Sequence, residues 1–237
     1  MGRTVVSLGH ANPVVGAAIS RQAERLLHVS NFFANPVATE AAQKVNELLL
    51  ASSGHAGQVF FTNSGAESNE CAIKLARKHG GRGRHTIVST LGSFHGRTLA
   101  TLAATGQPTK HEPFQPMPEG FIHVPFGDLA ALDAAVDASV AAVLVECVQG
   151  EGGVRDVGTA FLRDLRGLCD KHEILLGVDE VQCGMGRTGK LFAHEWAQIT
   201  PDVMAIAKAI GGGFPLGAFL TTQALGAVMQ IRGGGGE

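Results

Sequence analysis

Two hydrophobic patterns alternate along the chain. Short apolar runs rich in β-branched residues recur at 59–62, 85–90, 141–148, 174–181, 203–207 and 218–222. Between them lie stretches with helical spacing of apolar positions, at 14–27, 39–51, 64–79 and 160–172. The short runs are apolar on both faces, which predicts buried parallel strands covered by helices. The class expected is therefore α/β with a mostly parallel central sheet. Ser64 followed by Glu67 has the spacing of a capping box, so a helix should start there and stop at Gly80. Pro- and Gly-rich connections fall at 106–120 and 150–158, no internal repeat is visible, and the glycine run at 233–236 has no packing role.

Composition narrows the class of partner. Of 237 residues, 45% are hydrophobic and 17% charged, enough for a sizeable core and too apolar for a disordered chain. The net charge of −2, without runs of like charge, gives no footprint for nucleic acid or an anionic membrane. Arg77, Lys78, Arg82 and Arg84 cluster without interleaved aromatics and read as a solvated helix end. The cysteines Cys71, Cys147, Cys169 and Cys183 lack C-x-x-C spacing, and the ten histidines lack metal-ligand spacing, so reduced thiols and no metal are expected. With no signal-peptide pattern and no transmembrane stretch, a cytoplasmic protein is expected.

Four features carry candidate chemistry, each with a plain alternative. Lys208 ends an apolar run and precedes Gly211–Gly213; apolar neighbours favour the neutral amine that Schiff-base chemistry needs, but a lysine snorkelling from a strand end has the same appearance. Asp179 closes another apolar run, where α/β sheets bind ligands; there it could face a pyridine nitrogen, or simply bond its own turn. Ser64, Gly65 and Ala66 lie where a strand meets a helix N-terminus, a ready phosphate site that ordinary capping also explains. Phe94 could lie on an aromatic ligand and Arg97 could fork onto a carboxylate, or the two are a core Phe beside a surface Arg.

The stretch Gly184 to Lys190 matches G-x-G-x-x-G and nearly matches a P-loop. Leu191 replaces the hydroxyl residue a P-loop needs, and Pro201 leaves too little chain for a cofactor-contacting helix. The segment reads as a tight turn with Arg187 and Lys190 exposed. A nucleotide-binding protein is the weakest alternative, and the absence of G-x-S-x-G removes the common hydrolase reading.

Taken in order, several motifs resemble the class III (subgroup II) aminotransferases of pyridoxal-phosphate (PLP) fold type I. They are Leu8-Gly9-His10-Ala11, the run from Phe61 to Glu70, Ser93 to Thr98, Gln149 to Gly153, Val178 to Gln182, Gly184 to Gly189, and Ala207-Lys208-Ala209 with Gly211–Gly213. The resemblance covers nearly all the chain up to about Thr222. It implies the fold type I large domain, with the small C-terminal domain missing. Residues 1–30 would be a remnant of the N-terminal segment and first helix, 31–225 the PLP-binding large domain, incomplete at its C-terminus, and 226–237 a frayed tail. It further implies that Lys208 forms the Schiff base with PLP and shuttles protons, and that Asp179 pairs with the ring nitrogen. Gln182 would bond near the phenolic oxygen, while Ser64, Gly65 and Ala66 hold the phosphate and Phe94 stacks on the ring. Arg97 would take a substrate carboxylate, and Glu151 would be a switch residue pairing with a C-terminal arginine.

The reaction implied is transamination of N-acetylornithine with 2-oxoglutarate, giving N-acetylglutamate 5-semialdehyde and glutamate, in a homodimer. Asn31-Phe32-Phe33 and the Ser93 to Thr98 motif resemble that branch. Alternatives are ornithine, succinylornithine or 4-aminobutyrate as amino donor, or a non-catalytic truncated remnant. Three positions depart from the family pattern: Asn12 where a second His is frequent, Cys147 where Pro is usual, and Cys183 where Thr is usual. Cys183 is expected near the cofactor.

Overall fold

The computed structural model describes residues 5–30, 33–54 and 56–229. Residues 31, 32 and 226–237 carried sequence expectations; Asn31, Phe32 and 230–237 lie outside the described residues. Two helices come first, α1 (Pro13–Ala23) and α2 (Pro36–Ser53). Each begins the same way. Asn12 and Asn35 accept hydrogen bonds from the first-turn N–H groups, and the proline that follows supplies a preset φ without needing a partner for an N–H. Asn12, which departs from the family pattern, is thus a helix cap here.

Then follow β1 (Gln58–Thr62), α3 (Gly65–Gly80), β2 (Thr86–Thr90), α4 (Leu99–Ala104), α5 (Pro108–His111), β3 (Phe121–Val124), α6 (Leu129–Ala135) and β4 (Val140–Val145). A two-stranded hairpin, β5 (Val148–Gln149) and β6 (Arg155–Asp156), precedes α7 (Thr159–His172), β7 (Leu175–Asp179), β8 (Val203–Ile206), β9 (Gly217–Thr221) and α8 (Gln223–Met229).

Among the described residues seven strands form the main sheet, in the order β1-β9-β8-β7-β4-β2-β3. Pairs from β8 through β7, β4 and β2 to β3 are parallel, as expected. The departure is β9, antiparallel to both β8 and β1. Only residues 207–216 connect β8 to β9, fewer than a crossover of a dozen or more residues requires, so the chain can only double back. The expected parallel strand at 218–222 is corrected accordingly. Strand β3 and helices α4, α6 and α8 were also not anticipated; β3 is four residues long and carries a polar His123, too little for a period to register.

Side chains of the central strands alternate between two cores. Ala142 and Leu144 of β4 pack with Ala72, Ile73, Leu75 and Ala76 of α3 on one face. Val143 and Val145 pack with Leu132 of α6 and Leu162 and Leu165 of α7 on the other. Both faces are therefore covered, which is why these strands read as unbroken apolar runs. The parallel strands all point their C-terminal ends to one edge, and the candidate residues gather there. None of the described helices is long and apolar enough to cross a membrane.

Candidate active site

A cavity of about 330 Å³ opens at the C-terminal edge of the sheet. Ser64, Gly65, Ala66, Phe94, Arg97, Asp179 and Lys208 all line it, seven residues drawn from four separate stretches of sequence.

The helix end is built by local bonding. Ser64 Oγ accepts the Glu67 N–H at 3.3 Å, but the Glu67 carboxylate reaches back one residue further than a capping box, to the Asn63 N–H at 2.6 Å. The first N–H groups of α3 have no carbonyl of their own helix to bond and point out of its end. Gly65 is needed for close approach: a Cβ there would lie 2.8 Å from Val181 Cγ1 and 2.9 Å from Cγ2. Val181 itself lines the cavity, so strand end and helix end are pressed together by the missing side chain.

Asp179 ends β7 and is only 3% exposed. Three donors converge on it: Asn69 Nδ2 and His95 Nδ1, each 2.8 Å from Oδ2, and the Val181 N–H, 3.0 Å from Oδ1. Asn69 also donates to the His95 carbonyl at 2.8 Å, closing a ring of bonds between α3, the segment after β2 and β7. Burial disfavours a charged His95, yet the hydrogen bond and charge of Asp179, with the charge of Glu146, outweigh it and raise the imidazole pKa. Asn69 and His95 were not assigned roles from sequence. A signal for Asn69 was present: it lies on the apolar stripe of α3 with Ala72, Ile73 and Ala76, and a polar residue on such a stripe needs a buried partner.

Lys208 follows β8 and is half-buried on a one-turn 3-10 helix, Lys208–Gly211, with φ of 51°. That left-handed backbone is uncommon for a residue with a Cβ. Phe94 presents its ring to the cavity and is flanked by cations, the Arg97 guanidinium carbon 5.9 Å and Lys110 Nζ 4.7 Å from its centroid. Val5, Phe214, Pro215 and Leu216 complete the apolar wall and were not anticipated.

Not every expected residue arrives. Gln182 and Glu151 do not line the cavity. Gln182 lies against Gly150, where a Cβ would be 2.3 Å from its Oε1, and Glu151 is exposed in the turn between β5 and β6. Cys183 does not line the cavity either. Its thiol is buried beside Glu180, 3.3 Å from Oε2, and is held well above its usual pKa by its hydrogen bond with Cys147 and by burial. The Gly184 to Lys190 turn is not followed by an α-helix. Lys190 is half-buried rather than exposed, donating to the Glu195 carbonyl and lying over the Trp196 ring.

A buried carboxylate hydrogen-bonded to histidine, a lysine, and a helix N-terminus around one cavity form an arrangement found in many enzymes, and kinship decides among them. The family described as aminotransferase class-III matches residues 1–236. The chain belongs to that family. Its members are in general PLP enzymes. Among curated relatives, acetylornithine aminotransferase of Mesorhizobium japonicum is 51% identical over 98% of this chain and 58% of its own length. The enzyme of the same name from Agrobacterium fabrum is 53% identical over 93% and 55%. Among solved structures, ornithine aminotransferase from Toxoplasma gondii superposes with a TM-score of 0.90 at 31% identity, over 99% of this chain and 56% of the other. N-acetylornithine aminotransferase from Stenotrophomonas maltophilia does so at 0.80 and 39%, over 96% and 57%. The chain thus spans a little over half the length of these class-III relatives.

Proposed function

We propose that this chain is the PLP-binding part of an aminotransferase acting on N-acetylornithine and 2-oxoglutarate. The observation that carries it is the single cavity that Asp179, Lys208 and the Ser64–Ala66 helix end share, in a chain about half identical to proteins named acetylornithine aminotransferase. The residues present fit the cofactor. N–H groups at the start of α3 suit a phosphate, and the cavity is large enough for a flat ring. A carboxylate held by Asn69 and His95 suits a protonated ring nitrogen.

When bound, PLP supplies an aldehyde for amine exchange and a ring that accepts electrons. The chain's own residues do the rest. The Lys208 amine is the group that would hold the cofactor and, as a free base, would take the proton from the donor's Cα. Asp179 keeps the ring nitrogen protonated and is oriented by His95 and Asn69. Gly65 and Ala66 bind the phosphate through backbone N–H groups, with Ser64 capping the same turn. Phe94 would offer its ring to the cofactor, and Arg97 would take a substrate carboxylate. The roles of Gln182 near the phenolic oxygen and of Glu151 as an arginine-pairing switch belong to this proposal only for an assembled, ligand-bound site, since both stand outside the cavity here. A cytoplasmic homodimer is part of the same reading, and exposed apolar side chains such as Val14, Leu27 and Phe33 offer surface that a second copy could cover.

The test is spectroscopic and then kinetic. PLP added to the chain should give a visible absorption band that Lys208→Ala lacks, and glutamate should bleach it. Rates on N-acetylornithine, ornithine and 4-aminobutyrate then settle the donor. No band in the parent chain sinks the cofactor reading, and turnover of 4-aminobutyrate alone overturns the donor.

A further inference from the structure

Behind the cavity wall lies a charged group the proposed mechanism does not use. Glu146 follows β4 and is 1% exposed. Its Oε2 accepts the backbone N–H of Phe94 at 3.0 Å, while its Oε1 is buried without a well-formed hydrogen bond, the Gly150 N–H being the only other backbone donor among the described residues that acts on the carboxylate. The charged groups facing it are His95 and Asp179. Asp179, His95 and Glu146 are three buried ionisable groups that feel one another's charge, and one backbone step, Phe94 to His95, carries both the ring that lines the cavity and the imidazole that grips Asp179. A buried carboxylate with an unfilled acceptor is costly unless it does something for its surroundings.

We propose that Glu146 is a positioning residue of this site, holding the Phe94–His95 backbone step through the Phe94 N–H and, when ionised, facing the His95 imidazole with a countercharge. It acts on the cavity only through those two residues and touches no ligand. The inference rests on the cofactor reading for its consequence in binding, but not for the coupling between Glu146 and His95. Removing the acceptor frees the backbone at Phe94. Removing only the charge leaves the acceptor but takes away the smaller part of what stabilises the imidazolium, the larger part coming from Asp179.

The experiment compares Glu146→Ala and Glu146→Gln in the full chain, by equilibrium dialysis of PLP and by titration of ring-labelled His95 followed by NMR without PLP. Glu146→Ala should weaken PLP binding by about tenfold or more, the scale of a lost hydrogen bond to a charged acceptor. Glu146→Gln, which keeps an acceptor for Phe94, should recover a good part of that loss. In Glu146→Gln the His95 titration should move to lower pH, a shift that a merely space-filling residue would not produce. An unmoved His95 titration overturns the proposal, as does Glu146→Ala binding PLP like the parent. Should no chain bind PLP, the cofactor reading falls alone and the His95 titration still decides; should Glu146→Ala fail to fold, Glu146→Gln decides by the same titration.

Discussion

His95 Nδ1 lies 2.8 Å from Asp179 Oδ2, with both side chains buried, so the carboxylate at the end of β7 is aimed by a residue from a different strand connection. Asn69 approaches the same oxygen at the same distance. The bonds fix the carboxylate against rotation, so a ligand cation at Asp179 meets a preset acceptor rather than a mobile one. Replacing His95 by Leu leaves Oδ2 with one side-chain donor. Stability is expected to drop by roughly 1–3 kcal/mol, the scale of a lost bond to a buried charged group, with PLP affinity falling about tenfold. Urea denaturation and equilibrium dialysis check the two effects separately.

Gly65 makes a second prediction, because its neighbour is a branched side chain with little room to move. Val181 is pinned by its own N–H to Asp179 and presents both methyl groups to the place where a Cβ would stand. Gly65→Ala should cost about 1–3 kcal/mol by overpacking, despite the better helix propensity of alanine. Gly65→Ala with Val181→Ala should restore most of that loss. Additive losses in the double mutant would show that the two residues do not meet.

The cavity residues were largely legible because each obeys a local rule. Asp179 and Lys208 end apolar runs, and Ser64 with Glu67 marks a helix start. Directions of side chains in turns were not legible, and residues 179–183 show why. Asp179 faces the cavity, but Glu180 is buried on the opposite side, where it accepts the Ala193 and His194 N–H groups and the His194 Nδ1 proton. That long-range grip twists the following turn, so Val181 reaches the cavity while Cys183 turns inward toward Glu180 and Cys147. No spacing rule encodes a partner that far along the chain. The reversed β9 was equally hidden, since direction there follows from connection length and not from the apolar pattern.

Acid-base behaviour follows from Glu146. Burial above all, with the charge of Asp179, pushes its pKa up to about 7 against the opposing effects of the His95 charge and the Phe94 and Gly150 N–H groups. The folded chain thus holds a proton that the unfolded chain, with a carboxyl near 4.5, has already released. The stability from this group is complete below 4.5 and is lost as pH rises through about 7. His95, also raised, has the same sign and loses its share at higher pH, beyond 6.5. Stability should therefore decline on going from about pH 5 to pH 8, by on the order of 1–3 kcal/mol from Glu146. Glu146→Gln should flatten the part of the decline below pH 7 in a urea series, and an unchanged slope would refute the assignment.

At Lys208 the demands of function and of stability part company. Its φ of 51° puts a β-carbon in the left-handed region, and the strain is local because the next residues form a single 3-10 turn capped by Gly212 at φ 58°. A glycine takes such a backbone without steric cost, whereas alanine keeps the β-carbon and the strain. Glycine also adds disorder to the unfolded chain, which offsets part of the relief. The net expectation is that Lys208→Gly folds at least as stably as Lys208→Ala and by up to about 1 kcal/mol more. Both variants should lack the visible PLP band. Parallel urea denaturation of the two, each without PLP, isolates the backbone effect from the lost amine. A clearly less stable Lys208→Gly would mean that the backbone at this position is not strained, and that its left-handed turn is set by the glycines that follow it.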